Sequence, residues 1–337
     1  MKKILLATTM LTATAGIAAA EMTVTGSARL GVSSNWVQGY QANPDYNSED
    51  PDSEMYIAGE GGVEAAFNSR FRINFTGSGT TDGGLTFGAS ARADQAGVGI
   101  SQDSNNDFTI GGGANGDRWM NAGSVYLAGD FGTLTMGDTG NASDSLVGQV
   151  SYVGYTSLNS WNEIGFLGND TTGVMYSYST NGFTFGLGAG QTFDAAAELN
   201  PGAATPSNDD FWSAAVKYGT DQYSVALGYE QNQGSDQISF LGSATFSGAT
   251  LKLKLADNSE IADTLWAVSA DYTIDGIGLT AYYNADADAY YGEDVTLDLT
   301  AGAAYGVGAS YDLGGGASIV GGIAQRDDDG YGSIFDV

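Results

Sequence analysis

The segment from Val63 to Thr76 alternates between apolar and polar side chains. One face carries Val63, Ala65, Phe67, Phe71, Ile73 and Phe75, and the other carries Glu64, Asn68, Arg70, Arg72, Asn74 and Thr76. Successive side chains of a strand point to opposite sides of the sheet, so this pattern predicts a strand with one apolar and one polar face. In a soluble sandwich the apolar face would be the core. In a membrane barrel it would meet lipid, and the arginines would line a lumen.

The first twenty residues predict an export signal. Two lysines at positions 2 and 3 precede an apolar run at residues 4–17, which is followed by three alanines. A short positive segment, an apolar stretch and small residues are the parts of a cleavable signal peptide. We therefore expect residues 1–20 to be removed and residues 21–337 to form one domain. No other stretch approaches the roughly 18 apolar residues that a membrane-spanning helix needs.

The composition excludes several classes of function. The chain has 40 Asp and Glu against 11 Lys and Arg, a net charge of −29, which disfavours nucleic acid as a partner. It contains no histidine and no cysteine, which excludes Ser-His-Asp catalysis, the usual zinc sites and disulfides. An outer-membrane enzyme is therefore disfavoured, and we expect a protein that is not an enzyme and needs no cofactor.

Turn signals divide the chain into hairpins. Seven short turns are predicted at residues 81–84, 129–132, 180–182, 220–222, 246–248, 275–276 and 314–316. Longer polar stretches lie near residues 33–62, 94–121, 138–172, 192–209, 231–237, 257–264, 285–294 and 325–329. Seven hairpins with one strand at each end of the chain predict 16 strands, with the short turns at one end and the long loops at the other, as in bacterial membrane barrels.

One long connection differs from the others in its apolar content. Residues 137–173 include Val153, Trp161, Ile164, Phe166 and Leu167 and carry little charge. Long loops in compact folds are usually functional or packed, so we expect this loop to fold inward.

Aromatic residues gather near the ends of the apolar rows. They are Tyr176, Tyr178, Trp212, Tyr218, Tyr223, Tyr229, Trp266, Tyr272, Tyr282 and Tyr283. This placement favours aromatic belts at the two membrane interfaces over a sugar-binding surface.

Several runs together resemble a known family. They are residues 69–76 (SRFRINFT), 78–90 (SGTTDGGLTFGAS), the run from Phe131-Gly132 to Met136-Gly137-Asp138, residues 153–156 (VGYT) and 308–323 (GASYDLGGGASIVGGI). These runs are similar to the general diffusion porins of the Rhodobacter type. The resemblance implies an all-β, 16-stranded antiparallel transmembrane β-barrel with short periplasmic turns, long external loops and an inward-folded third loop at about 138–173. It also implies a homotrimer in the outer membrane of a Gram-negative bacterium, in contact with lipid and lipopolysaccharide, that conducts small polar solutes and ions passively.

The resemblance also implies a transverse electric field at the narrowest point of the pore. The basic side would be formed on the wall by Arg29, Arg70, Arg72 and Arg92. The acidic side would be formed on the third loop by Asp138, Asp144, Glu163 and Asp170. The alternative is that the four arginines are lumen residues without a special role, and we interpret Lys252 and Lys254 as ordinary lumen residues.

Two further features bear on calcium and on the chain end. Structural calcium in this family is held by external acidic groups, for which Asp45, Glu49, Asp50, Asp52 and Glu54 are the candidates here. The alternative is a plain solvated loop. The resemblance implies a last strand that finishes with an aromatic residue, whereas this chain ends at Phe335-Asp336-Val337, so we expect the last strand to be truncated.

Two functions remain open at this point. The first is an outer-membrane porin, a water-filled channel for passive diffusion that filters small hydrophilic solutes and ions by size and by charge. The alternative is a secreted soluble β-rich adhesin or carbohydrate-binding protein.

Overall fold

The protein is described from a computed structural model. It covers residues 21–37, 40–42, 56–58, 62–97, 101–102, 108–109, 122–167, 173–191, 210–232, 234–261, 263–285, 302–327 and 333–337. Several residues discussed above lie outside these ranges: the signal segment 1–20, the acidic residues Asp45, Glu49, Asp50, Asp52 and Glu54, and Asp170.

Across the described residues, sixteen antiparallel strands form one closed barrel. They are β1 (Glu21–Val37), β2 (Gly62–Thr80), β3 (Thr86–Gly97), β4 (Ala122–Gly129), β5 (Gly132–Gly137), β6 (Gly173–Thr180), β7 (Phe183–Gln191), β8 (Asp210–Gly219), β9 (Tyr223–Asn232), β10 (Ser235–Phe246), β11 (Ala249–Asn258), β12 (Leu265–Ile274), β13 (Ile277–Asn284), β14 (Ala303–Gly314), β15 (Ala317–Asp327) and β16 (Ile334–Asp336). Two short strand pairs, Tyr40–Ala42 with Tyr56–Ala58 and Ser101–Gln102 with Phe108–Thr109, lie in the connections after β1 and β3. Each barrel strand pairs with its neighbours in sequence, which confirms the predicted strand number and order.

All seven predicted short turns join consecutive strands. Three of them place Asn181, Ser247 or Asp275 at positive φ, each followed by a glycine that is also at positive φ. Two successive residues of this kind form the hairpin turn whose twist matches that of the flanking strands. The longer polar stretch predicted at residues 231–237 is wrong, because β9 ends at Asn232 and β10 begins at Ser235.

The two faces of the wall have opposite character. Outward positions carry exposed apolar side chains, of which Leu30 and Phe67 are the most exposed at 86% and 87%.

Tyr282 is an exception among the aromatic residues assigned to the interface belts. It pairs in register with Ser269 and Gly306 on the inner face, is buried, and packs in a cluster with Val153. The belt assignment of Tyr282 is therefore wrong, because its strand position turns it toward the lumen.

The barrel closes at a short seam between β16 and β1. Ser33 pairs with Asp336, and the backbone groups of Val32 and Val337 exchange hydrogen bonds of 2.7 and 2.9 Å. The three residues of β16 also pair with β15, so β16 is bonded on both sides. A backbone inside a lipid bilayer requires such pairing, because lipid offers no hydrogen-bonding partner.

Candidate functional site

The long connection between β5 and β6 folds into the barrel, as predicted. We call its described part, residues 138–167, the inner loop. Its apolar residues Val153, Leu158, Trp161 and Ile164 are all buried, and they pack on inward-facing wall residues. An outgoing limb at residues 138–153 follows the wall from β7 toward β15, a tip at 154–160 reaches β16 and β1, and a returning limb at 161–167 leads back to β9.

The outgoing limb begins with a one-turn helix, α1 (Ala142–Leu146), docked on β7, β8 and β9. The Asn141 side chain caps this helix by accepting from the Asp144 amide at 2.6 Å. The Ala142 amide donates to Ser213 Oγ at 2.9 Å on β8. The helix fits because the wall is bare beneath it: a Cβ at Gly228 would lie 2.5 Å from Ser143 Oγ.

The returning limb is bonded both to the wall and to the outgoing limb. The side-chain amide of Gln149 donates to the Ile164 carbonyl at 2.8 Å and accepts from the Ile164 amide at 3.1 Å. Asn284 Nδ2 on β13 donates to the carbonyl oxygens of Trp161 and Glu163, at 3.1 and 2.9 Å. These bonds satisfy backbone groups that an irregular segment would otherwise leave unpaired.

The tip is attached to the seam of the barrel. The Asp336 carboxylate on β16 accepts from the Thr156 amide and from Thr156 Oγ1, both at 2.7 Å. Arg29 Nη1 on β1 donates to the Tyr155 carbonyl at 2.6 Å, and its guanidinium lies 5.5 Å from the centre of the Tyr155 ring. The strand that closes the barrel therefore also holds the end of the inner loop.

The four predicted wall arginines share the inner face of three consecutive strands. Arg29 on β1 is directly opposite Arg70 on β2, and Arg72 is two residues farther along. Arg92 on β3 is opposite Asn74, which lies on the same face as Arg70 and Arg72. Because opposed residues share a face and Arg29 touches the inner loop, all four arginines are directed into the lumen.

Arg29 lies on a strand that the tip of the inner loop reaches, whereas Arg70, Arg72 and Arg92 lie on β2 and β3. The described part of the loop docks along β7 to β16 and reaches β1 at its tip, so β2 and β3 form the wall on the other side of the opening. In the register of β2 and β3, Arg72 is paired with position 94.

The acidic residues predicted on the loop lie in different settings. Asp138 directly follows β5 and is exposed, and Asp144 is exposed on α1. Glu163 lies on the returning limb with its side chain open to the lumen, and desolvation by the surrounding loop and wall raises its pKa above the usual range. Asp144 acts on Glu163 in the same direction through charge repulsion, so the structure brings these two acids into one electrostatic environment.

Lys252 and Lys254 on β11 both contact the inner loop. Lys252 Nζ donates to Ser151 Oγ at 2.9 Å, and Ser151 Oγ donates to Asp271 at 2.6 Å. Lys254 is fully buried and donates to Gln149 Oε1 and to the Ile164 carbonyl, at 2.7 and 2.8 Å. Their interpretation as ordinary lumen residues did not anticipate these contacts.

A signal for the docking site was present in the sequence. Inner-face positions under the loop are small, and they are Gly186, Gly188, Ala215, Ala226, Gly228, Ala256, Ala267, Ala304, Gly306, Gly308, Gly322 and Ala324. A wall facing open water has no need for such a series, because long polar side chains are readily solvated there.

Comparison with known proteins agrees with this architecture. A model of the Gram-negative porin family matches residues 7–331. The chain is 32% identical over 286 residues to a porin of Rhodobacter capsulatus, covering 77% of this chain and 88% of that protein. It is 28% identical over 252 residues to a porin of Fuscovulum blasticum, covering 64% of this chain and 83% of that protein.

Solved structures give the same result. A porin structure refined at 1.8 Å superposes with a TM-score of 0.61 at 27% identity, covering 94% of this chain and 98% of that one. A triple mutant of the Rh. blastica porin superposes with a TM-score of 0.63 at 20% identity, with the same coverage.

No helix among the described residues is long and apolar enough to cross a bilayer. No group of three or more metal-binding side chains occurs in the described part of the chain, and porins in general require no cofactor. The chain belongs to the Gram-negative porin family: it is a non-enzymatic β-barrel channel of the outer membrane through which small hydrophilic solutes diffuse passively.

Proposed function

We propose that the pore filters solutes between a basic wall, formed by Arg29, Arg70, Arg72 and Arg92, and an acidic edge, formed by Asp138, Asp144 and Glu163 on the inner loop and by Asp170, which follows the loop in sequence. The observation that carries this proposal is the register of β1 to β3, which places all four arginines on the inner face. Arg29 and Arg70 are directly opposed, and like charges in this arrangement are destabilising unless anionic groups or solutes face them. A field between the two sides would orient dipolar solutes as they pass.

Neutralising Arg70 and Arg72 together should shift ion preference toward cations. A unit charge about 4 Å from an ion in water contributes about 1 kcal/mol, which changes the partition of that ion about fivefold. We therefore expect R70Q/R72Q to raise the cation-to-anion permeability ratio severalfold, measured as the reversal potential in a salt gradient across a planar bilayer. Lys217→Gln, which removes an inner-face charge on β8, is the control and should shift the ratio less. An unchanged reversal potential in the double variant would refute the basic wall.

The cation-to-anion permeability ratio should decline as the pH is lowered, with Glu163 the first acid to contribute. Because partial desolvation raises the pKa of Glu163, its carboxylate becomes neutral at a higher pH than that of a fully solvated glutamate, whose pKa is about 4.3. The permeability ratio should therefore begin to fall while exposed acids are still ionised. E163Q should lack this first step in reversal potentials recorded across the pH range. An identical profile in E163Q and the parent would remove Glu163 from the acidic edge.

We also propose that the porin is a homotrimer that associates through the outer face of β1 and β2. Leu30 and Phe67, the most exposed apolar side chains, lie on adjacent strands there. Truncating packed side chains of this kind costs about 2–5 kcal/mol each. The L30A/F67A trimer should therefore dissociate to monomers at a lower temperature, measured by gel electrophoresis of samples heated stepwise beforehand. The matched F185A/L187A variant on β7 should behave like the parent. The parent should enter bilayers in triplet conductance steps, and single steps would contradict the trimer.

We also propose that the external loops interact with calcium and with the surrounding lipopolysaccharide. Asp45, Glu49, Asp50, Asp52 and Glu54 form an acidic group able to supply the oxygen ligands that calcium prefers. In a chain of net charge −29, such a cation would also reduce repulsion from the anionic lipopolysaccharide around the barrel. Chelation should then lower the temperature at which the trimer dissociates, and no effect of chelation would count against bound calcium.

A further inference from the structure

We propose that Lys254 is the positioning residue of the constriction: its buried ammonium joins both limbs of the inner loop to β11 and thereby sets the place of Glu163 in the pore. Lys254 is fully buried on the inner face, beneath the loop. Its Nζ donates to Gln149 Oε1 on the outgoing limb at 2.7 Å and to the Ile164 carbonyl on the returning limb at 2.8 Å. The ammonium also lies 3.8 Å from the centre of the Phe166 ring.

These contacts act on the segment that carries the acidic edge. Glu163 immediately precedes Ile164, and the Glu163 carbonyl accepts from Asn284 Nδ2 at 2.9 Å. The carbonyl groups of Glu163 and Ile164 are therefore held by Asn284 on β13 and by Lys254 on β11, respectively. A hydrogen bond from a charged donor is about twice as strong as a neutral one, so the single bond from Lys254 is comparable to the two that Asn284 donates to this limb.

Three acids lie near the buried ammonium of Lys254. Glu230 on β9, which is also fully buried, and Asp144 and Glu163 on the loop all interact with the ammonium electrostatically. Glu230 in turn accepts from Gln237 Nε2, which also donates to the Gly165 carbonyl on the returning limb. A buried ammonium with no acid nearby would be strongly unfavourable. With these partners it becomes an attachment point that a neutral side chain cannot replace.

The test compares Lys254→Met with Lys217→Met. Lys217 is an inner-face lysine on β8 that forms no hydrogen bond with the described part of the loop, so its removal changes the lumen charge but not the attachment. Loss of the charge-assisted bonds in K254M should raise the population of a displaced loop by about tenfold or more. We expect more frequent conductance sublevels, a higher open-channel conductance and a changed cation-to-anion permeability ratio in K254M, and neither of the first two effects in K217M.

A second variant keeps the proposal testable if K254M does not assemble. Gln149→Met removes the loop side of the same attachment and leaves no unpaired charge in the wall, and it should produce sublevels as well. Steady conductance and parental selectivity in both K254M and Q149M would overturn the proposal.

The prediction about selectivity rests on the proposed function of Glu163. The role of Glu163 and the positioning role of Lys254 can nevertheless fail separately. If E163Q does not alter the reversal potential, the acidic edge is wrong, while the sublevels of K254M still report loop attachment. If E163Q alters the reversal potential and K254M conducts like the parent, only the positioning role of Lys254 fails.

Discussion

Replacing Gly322 with leucine should displace the tip of the inner loop and widen the pore. A Cβ at position 322 would lie 2.6 Å from the Gly154 nitrogen, 2.9 Å from its Cα and 3.1 Å from the Val153 carbonyl carbon. All three are backbone atoms, so a side-chain rotation cannot relieve the clash. Overpacking usually costs about 1–3 kcal/mol, and a leucine adds atoms well beyond the Cβ. Undocking the tip is the available relaxation, because a shift of β15 would instead break its pairing with β14 and β16.

The measurements are single-channel conductance and the temperature at which the folded barrel unfolds on gels. Conductance should rise and the unfolding temperature should fall in G322L. Gly83→Leu is the control, because an added Cβ in the turn between β2 and β3 would meet only Thr81 Oγ1 within 4 Å, at 3.9 Å. Parental conductance and stability in G322L would show that the tip does not pack on β15 as described.

Removing the Asp336 carboxylate should release the same tip by a different route. Its Oδ2 accepts two hydrogen bonds from Thr156, and the side chain is almost completely buried. Hydrogen bonds to charged groups contribute about 1.5–3 kcal/mol each, so D336A should lose a few kcal/mol of unfolding free energy. The loss should be larger than usual for one side chain, because β16 has three residues and the loop stabilises the seam that it forms with β1.

Denaturant unfolding in detergent measures this effect, and bilayer recording shows whether the channel also becomes noisier. Asp130→Ala, which changes an exposed aspartate in the turn between β4 and β5, should leave both quantities unchanged. D336N keeps one acceptor oxygen and should lie between D336A and the parent. If D336A unfolds at the same denaturant concentration as D130A, the contact contributes nothing to the closure of the barrel.

Most of the barrel could be predicted because its signals are local. Alternation along β2 and the seven short turns follow from side-chain geometry and from backbone conformations that only a few residue types favour. The lumen position of Arg70 and Arg72 followed from the same alternation once the fold was known. Tyr282 was assigned to the wrong face because aromatic character alone does not reveal strand parity, whereas its register opposite Ser269 does.

The contacts of the inner loop could not be predicted in the same way. Lys254 bonds to residues about a hundred positions earlier in the chain, and Asp336 bonds to Thr156 across 180 positions. Neither residue is unusual in its local sequence, since each occupies an ordinary polar position in an alternating strand. The small residues of the inner face were visible, but their meaning depends on which strands lie beneath the loop.

The sequence by itself determined the strand pattern, the turns, the faces of the wall and, through its resemblance to porins, the kind of channel that the chain forms. These properties depend on short-range geometry and on the demand that a lipid-facing surface be apolar and fully hydrogen-bonded. Only the tertiary structure decided how the inner loop is attached and where its acids lie relative to the arginines of β1 to β3. Closing the barrel brings distant strands around one lumen, and each attachment exists only when both of its partners face that lumen.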